Sequence, residues 1–388
     1  MLRKILLKIS DGAVWLRLAT ACLAACLTAA FMFYPAKASG YPYSYVLMEG
    51  GTGTLLYSEN GWAPIPPYHS AKLMTLLLCC EAIESGSLSL DSEVVVSKNA
   101  NSMQGAQIWL DVGEKIAVSE LIASITVGNA NDACMALAEA VGGSEEVFLQ
   151  MMNSKAGELG MQSTVYADPT GTKPGSITTA CDTAILASSL IRFEWLREYF
   201  TTWMTSVRDG RAELVSQNRL VRSYNGITGM KAYSGEDCGD CLIASSERDG
   251  LSMICVILGE TDGDRRFSTA KEKMNIGYLA YRLYTPRLKD IFLEPVRVKN
   301  GVKSEVAAVS GELKSFIIRS GRENDIEISY EYENELEAPV YSGDRVGSIV
   351  YSLDGEELYR ADILAGEEAA RMNILLGAVK ILRTVFAS

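Results

Sequence analysis

Two short apolar runs near the start of the chain, Tyr45-Val46-Leu47-Met48 and Thr54-Leu55-Leu56-Tyr57, flank a glycine-bearing segment at 49–53. Apolar runs of this length around a glycine turn predict a β-hairpin. Residues 71–83 are nearly all apolar, which predicts a helix buried on every side. Helical periodicity returns at 119–127, 131–141 and 145–159, and Ser144 ahead of Glu145 and Glu146 forms an N-cap with acids at the positive end of the helix dipole. Strand-like runs follow at 240–244 and 253–258, with Arg248-Asp249-Gly250 as the turn between them.

Beyond Pro286 the pattern changes. Ile326, Ile328, Tyr330 and Tyr332 alternate with polar residues, 345–353 is strand-like, and Asp354-Gly355 is a hairpin turn signal. These features predict a first, mixed domain over 41–285 and a small β domain over 292–366, with the boundary near 286–296 around Pro286 and Pro295. The last segment, 367–388, sets Ile374, Leu375, Val379, Leu382, Val385 and Phe386 around Arg371, Lys380 and Arg383. It reads equally as an amphipathic helix lying on a membrane surface or as a terminal helix packed on its own domain.

The N-terminus carries Arg3, Lys4, Lys8 and Arg17, then an apolar stretch over 18–34, then Ala36-Lys37-Ala38 before Ser39. This reads as a signal peptide over 1–38, cleaved after Ala38, in preference to a retained anchor. Either reading puts the bulk of the chain outside the cytoplasm. The formal net charge of −12, with no long basic run, argues against nucleic acid as a partner. Nothing in the sequence calls for a cofactor.

Of nine cysteines, Cys22 and Cys26 fall in the leader, leaving Cys79, Cys80, Cys134, Cys181, Cys238, Cys241 and Cys255. Cys238-x-x-Cys241 has the spacing of a redox or metal pair, but there is no second pair, and the chain's one histidine, His69, is remote in sequence. Buried thiols are the favoured reading, a Cys238–Cys241 disulfide the other, and no metal site is expected.

The stretch Pro67-Tyr68-His69-Ser70-Ala71-Lys72-Leu73-Met74-Thr75 resembles the start of the nucleophile helix of D-alanyl-D-alanine carboxypeptidases, in the low-molecular-weight penicillin-binding protein family. That helix carries S-x-x-K, and here His69 stands where the serine should be. Gly105-Ala106-Gln107-Ile108-Trp109-Leu110, Gly113-Glu114-Lys115-Ile116 and Asn129-Ala130-Asn131-Asp132-Ala133 are similar to the next block, whose S-x-N motif has Asn129 in place of its serine. Asp168-Pro169-Thr170-Gly171 and Asn218-Arg219-Leu220 continue the likeness, and the K-T-G motif appears as Lys231-Ala232-Tyr233. β-Lactamases share the three motifs but lack the appended β domain.

The resemblance implies an α+β fold. A penicillin-binding-protein/β-lactamase-like domain, an antiparallel sheet flanked by helices, would precede a small C-terminal all-β domain. It also implies a site in which His69, Lys72, Asn129 and Asn131 occupy the catalytic positions and Lys231, Ala232 and Tyr233 the substrate-binding strand. In the intact family the serine attacks the D-Ala-D-Ala carbonyl and the lysine takes its proton. Losing the nucleophile of a serine hydrolase such as subtilisin costs on the order of 10⁶ in rate. Ser70 is turned about 100° from His69 along the helix and would not meet Lys72.

The expectation is an extracytoplasmic, non-catalytic relative, bound to the cell envelope, that binds peptidoglycan stem peptide or an envelope protein. Its rivals are an active carboxypeptidase using His69 or Ser70, and a redox or metal protein using Cys238 and Cys241.

Overall fold

The computed structural model describes residues 42–235, 238–333 and 335–373. The predicted leader at 1–38 and most of the amphipathic segment at 367–388 lie outside them. Among the described residues no helix is long and apolar enough to cross a membrane.

The N-terminal hairpin forms as β1 (Ser44–Glu49) and β2 (Thr54–Glu59). A 3-10 turn, Tyr68–Ser70, leads directly into α1 (Ala71–Glu84), and every residue from Ala71 to Cys80 is buried, as its uniformly apolar sequence requires. Further along come α2 (Val118–Thr126), α3 (Asn131–Gly142) and α4 (Glu145–Glu158), then α5 (Ala180–Ile191). Ser144 caps α4 by accepting from Val147 N, as its sequence predicts.

Three long strands close the domain: β3 (Ile227–Gly235), β4 (Gly239–Arg248) and β5 (Leu251–Glu260), followed by α6 (Arg265–Ala280). The strands join the hairpin in one sheet, ordered β2-β1-β5-β4-β3, with every neighbouring pair antiparallel.

Side-chain alternation sends the two faces of this sheet to different cores. On β1 and β5, Val46, Met48, Ile254, Val256 and Leu258 pack with α1 to α5, while Tyr45, Leu47, Met253, Cys255 and Ile257 pack with Phe267, Ala270 and Met274 of α6. A sheet covered on both faces needs apolar residues at consecutive positions, and β5 is buried almost throughout. On β3, Tyr233 joins the core containing α1, whereas Ala232 joins the core under α6.

The second domain is all β. A four-stranded sheet runs Ala308–Ser310, then Glu356–Ala365, Arg345–Leu353 and Glu327–Tyr332, and a three-stranded sheet holds Val296–Lys299 between Glu305–Val306 and Leu336–Glu337. Asp354 and Gly355 both have positive φ, the turn their sequence predicts. The two domains are joined by more than a linker. Strand β6 (Tyr281–Tyr284) follows α6 at once and pairs antiparallel with β7 (Phe316–Arg319) of the second domain. Leu283 and Ile317, paired in that ladder, pack on the first domain's outer core, while Tyr284 and Phe316 pack into the second domain's core.

Candidate functional site

The turn Tyr68–Ser70 presents His69 at the mouth of α1, and the helix carries Lys72 one turn further in. The Asp168-Pro169-Thr170-Gly171 segment packs on this turn so closely that a Cβ on Gly171 would stand 2.1 Å from the Tyr68 carbonyl. Only glycine fits there, and its φ of +75° is one glycine adopts freely. The carbonyls of this segment point at α1: Lys72 Nζ donates to Thr170 O at 3.2 Å, and Thr75 Oγ1 to Pro169 O at 3.0 Å.

Lys72 is fully buried, and its ammonium also meets His69 Nδ1 at 2.6 Å. Burial pulls the Lys72 pKa down to about 8, against an opposing pull from Cys134 and Asp168. Lysine is therefore protonated at neutral pH, and an ammonium can only donate. His69 Nδ1 must accept, which puts the ring proton on Nε2. Burial, then the charges of Lys72 and Lys231, hold the imidazole down to about 2, so it stays neutral. A neutral ring with one nitrogen protonated and the other hydrogen-bonded has no free lone pair.

Ser70 points elsewhere, as its helical position predicts. Its Oγ donates to Pro67 O at 2.6 Å, and the Tyr233 hydroxyl donates to the same carbonyl at 3.0 Å. Tyr233 is, with Tyr351, one of the two largest fully buried side chains among the described residues. Its ring fills the space between β3 and the Tyr68–Ser70 turn and meets the imidazole of His69 edge-on, 5.7 Å between centroids at 86°.

The turn between α2 and α3 supplies the two asparagines. Asn129 sits at φ +57°, and its Nδ2 lies 3.4 Å from the Ala232 carbonyl. Asn131 opens α3, donating its backbone N–H to Ala106 O at 2.7 Å and its Nδ2 to Gln104 O at 2.5 Å. The Oδ1 atoms of both are buried without a hydrogen-bond donor. Lys231 Nζ donates to Ile125 O at 2.5 Å, and burial, then the charge of Lys72, set its pKa well below the usual range.

Of the seven residues singled out in the sequence, His69, Lys72, Tyr233 and Lys231 lie beside one another, Asn129 reaches β3 through the Ala232 carbonyl, and Asn131 is tied to the loop at Gln104 and Ala106. Ala232 contributes only its carbonyl, because strand alternation turns its Cβ to the α6 side. Lys231 is buried and its side-chain nitrogen is tied to a helix carbonyl. Among the described residues neither buried lysine has a carboxylate at ion-pair distance.

Other residues that build the site have no short-range signal. The Asp132 carboxylate accepts from Ile108 N and Leu110 N, and Arg208 donates to Ile108 O at 2.8 Å and Trp109 O at 2.6 Å, fixing the loop on the rim. Arg208 is itself held by Glu114 and Asp111. Behind β3, Arg266 donates to Tyr233 O at 2.6 Å and Cys241 O at 3.0 Å, locking the β3–β4 hairpin. The seven described cysteines are all free, buried thiols, so the disulfide reading of Cys238 and Cys241 is not the state seen.

Residues 35–262 match the family model for D-alanyl-D-alanine carboxypeptidase, and 281–371 match that for the penicillin-binding protein 5 C-terminal domain. The chain is 32% identical over 338 residues to the D-alanyl-D-alanine carboxypeptidase DacF of Bacillus subtilis, covering 86% of this chain and 87% of that one. It is 29% identical over 333 residues to the carboxypeptidase DacC of Escherichia coli, covering 84% and 83%. Among solved structures, penicillin binding protein 5 from Haemophilus influenzae has the same fold, with a TM-score of 0.78 at 23% identity over 84% of this chain and 97% of that one. The two consecutive domain matches and the likeness across nearly all of the described chain identify it as a member of the D-alanyl-D-alanine carboxypeptidase family of low-molecular-weight penicillin-binding proteins.

Proposed function

We propose that this chain is a non-catalytic family member that serves the cell envelope through a protein partner and does not turn over stem peptides. The observation that carries the reading is His69 at the nucleophile position with its Nδ1 engaged by Lys72 at 2.6 Å. That contact leaves the imidazole without a lone pair for attack at neutral pH, and it also occupies the base. Tyr233 supports the preference for a protein partner over a peptide ligand, since a peptide laid along β3 would meet a buried ring hydrogen-bonded to Pro67. Export by the leader at 1–38 is part of the same proposal.

The rival reading, an active carboxypeptidase, gains nothing from Ser70, whose hydroxyl is bound to Pro67 O and buried. The test is intact-mass analysis of the mature protein after incubation with benzylpenicillin, together with D-alanine release from a D-Ala-D-Ala-terminated peptide. Neither an adduct nor release is expected. A stoichiometric adduct on His69 or Ser70, or measurable release that disappears on its substitution, would restore the enzyme.

A further inference from the structure

Cys238 and Cys241 play no part in the chemistry above, yet they lie directly behind it. Cys241 stands opposite Tyr233 in the β3–β4 ladder, and both belong to the core that contains α1. Cys238 Sγ lies under Gly235, where a Cβ would come within 2.8 Å of the sulfur and 3.6 Å of the Tyr68 ring. The Cys241 thiol reaches back to the Cys238 carbonyl at 3.5 Å, so the second sulfur already lies over the first residue.

The two thiols differ in character. The hydrogen bond with Cys241, then burial, keeps Cys238 protonated. Burial resists ionisation of Cys241, but hydrogen bonds from the Cys238 thiol and the Gly259 N–H outweigh it and hold that thiol below its usual range. The other five described thiols are all raised, chiefly by burial.

We propose that Cys238 and Cys241 are a redox couple, a dithiol that closes to an intramolecular disulfide and in doing so alters the packing of Tyr233 against His69. The oxidant is a small disulfide of the glutathione class. One thiol of the pair, as its thiolate, attacks one of the oxidant's sulfurs and expels a thiolate, which takes up the proton released to solvent. The other thiol then attacks the protein sulfur of the mixed disulfide, and its proton goes to the second leaving thiolate. Two protein thiols are oxidised and the small disulfide is reduced to two thiols.

The test equilibrates the full mature protein in glutathione buffers of graded oxidation, then alkylates it in denaturant and reads mass and peptide map. The expected result is the loss of two alkylatable thiols, mapped to a Cys238–Cys241 crosslink and absent from Cys238→Ser and Cys241→Ser. A parallel readout is carbethoxylation of His69, the chain's single histidine, whose rate should change several-fold between reduced and oxidised protein and stay constant in both variants. Thiols that remain fully alkylatable across the series, or a crosslink to another cysteine, would overturn the couple. A Cys238–Cys241 crosslink with unchanged His69 reactivity would overturn its coupling to Tyr233.

Discussion

The depressed pKa of His69 makes a quantitative demand on stability. In the unfolded chain the imidazole titrates near 6.5, and in the folded protein it is held down to about 2 by burial and by the neighbouring Lys72 and Lys231. The unfolded state therefore binds this proton more tightly, so stability is lost as pH falls below about 6.5 and goes on being lost until the folded pKa is reached. At about 1.4 kcal/mol per unit, moving from about pH 7.5 to about pH 4.5 should cost about 2–3 kcal/mol from this residue alone.

Other groups titrate over the same range, so the quantity to measure is the difference between the native chain and His69→Gln, which cannot protonate. All five tryptophans, Trp15, Trp62, Trp109, Trp195 and Trp203, precede the second domain, so tryptophan fluorescence in denaturant follows the first domain by itself. The native chain should lose about 2–3 kcal/mol more than His69→Gln across that interval. Parallel losses, or an imidazole proton resonance that titrates near 6.5, would refute the half-buried, Lys72-bound histidine.

Lys72→Met should stabilise the first domain by about 1–3 kcal/mol at neutral pH, because it removes a buried ammonium at the cost of two hydrogen bonds. The gain should fade as pH rises from about 8 and be gone above about 10.5, since the Lys72 pKa is lowered from 10.5 to about 8, and chemical denaturation at neutral pH and above that window checks it. Tyr233→Phe should cost about 1 kcal/mol, since Pro67 O keeps the Ser70 hydroxyl, and Tyr233→Ala about 3–5 kcal/mol, both read as shifts in denaturation midpoint. Arg208→Ala should cost about 2–4 kcal/mol and alter the emission of Trp109, because the Ile108 and Trp109 carbonyls and Glu114 lose their shared donor. The double variant His69→Ser with Tyr233→Gly should form a benzylpenicillin adduct that neither single variant forms, as seen by intact mass; no adduct in a folded double variant would locate the block elsewhere.

Local chemistry made much of this legible. The apolar run at 71–83 and the capped pattern after Ser144 became α1 and α4 nearly to the residue, because each is decided by side chains within a few positions. His69 and Lys72 lie beside Tyr233 and Lys231 in the fold although the two stretches are about 160 positions apart. The directions of their side chains were not readable: Lys231 turns to a carbonyl 106 positions away, and Tyr233 to one 166 positions away. The runs at 240–244 and 253–258 extend to β4 and β5 because both sheet faces are covered, which removes the alternation that marks a strand's ends. Tyr281-Arg282-Leu283-Tyr284 gives no sign in sequence that its partner is Phe316–Arg319, since pairing across more than 30 positions leaves no local pattern.

That short ladder governs how the protein can be divided. A chain cut just after Tyr284 would keep all of α6 but leave Tyr281–Tyr284 as an open edge, its backbone donors and acceptors unpaired and Leu283 without the cover of Ile317. Exposed edges of that kind recruit strands from neighbouring molecules. Isolated first domains ending there should self-associate, whereas a cut before Tyr281 removes the sticky strand along with its partner.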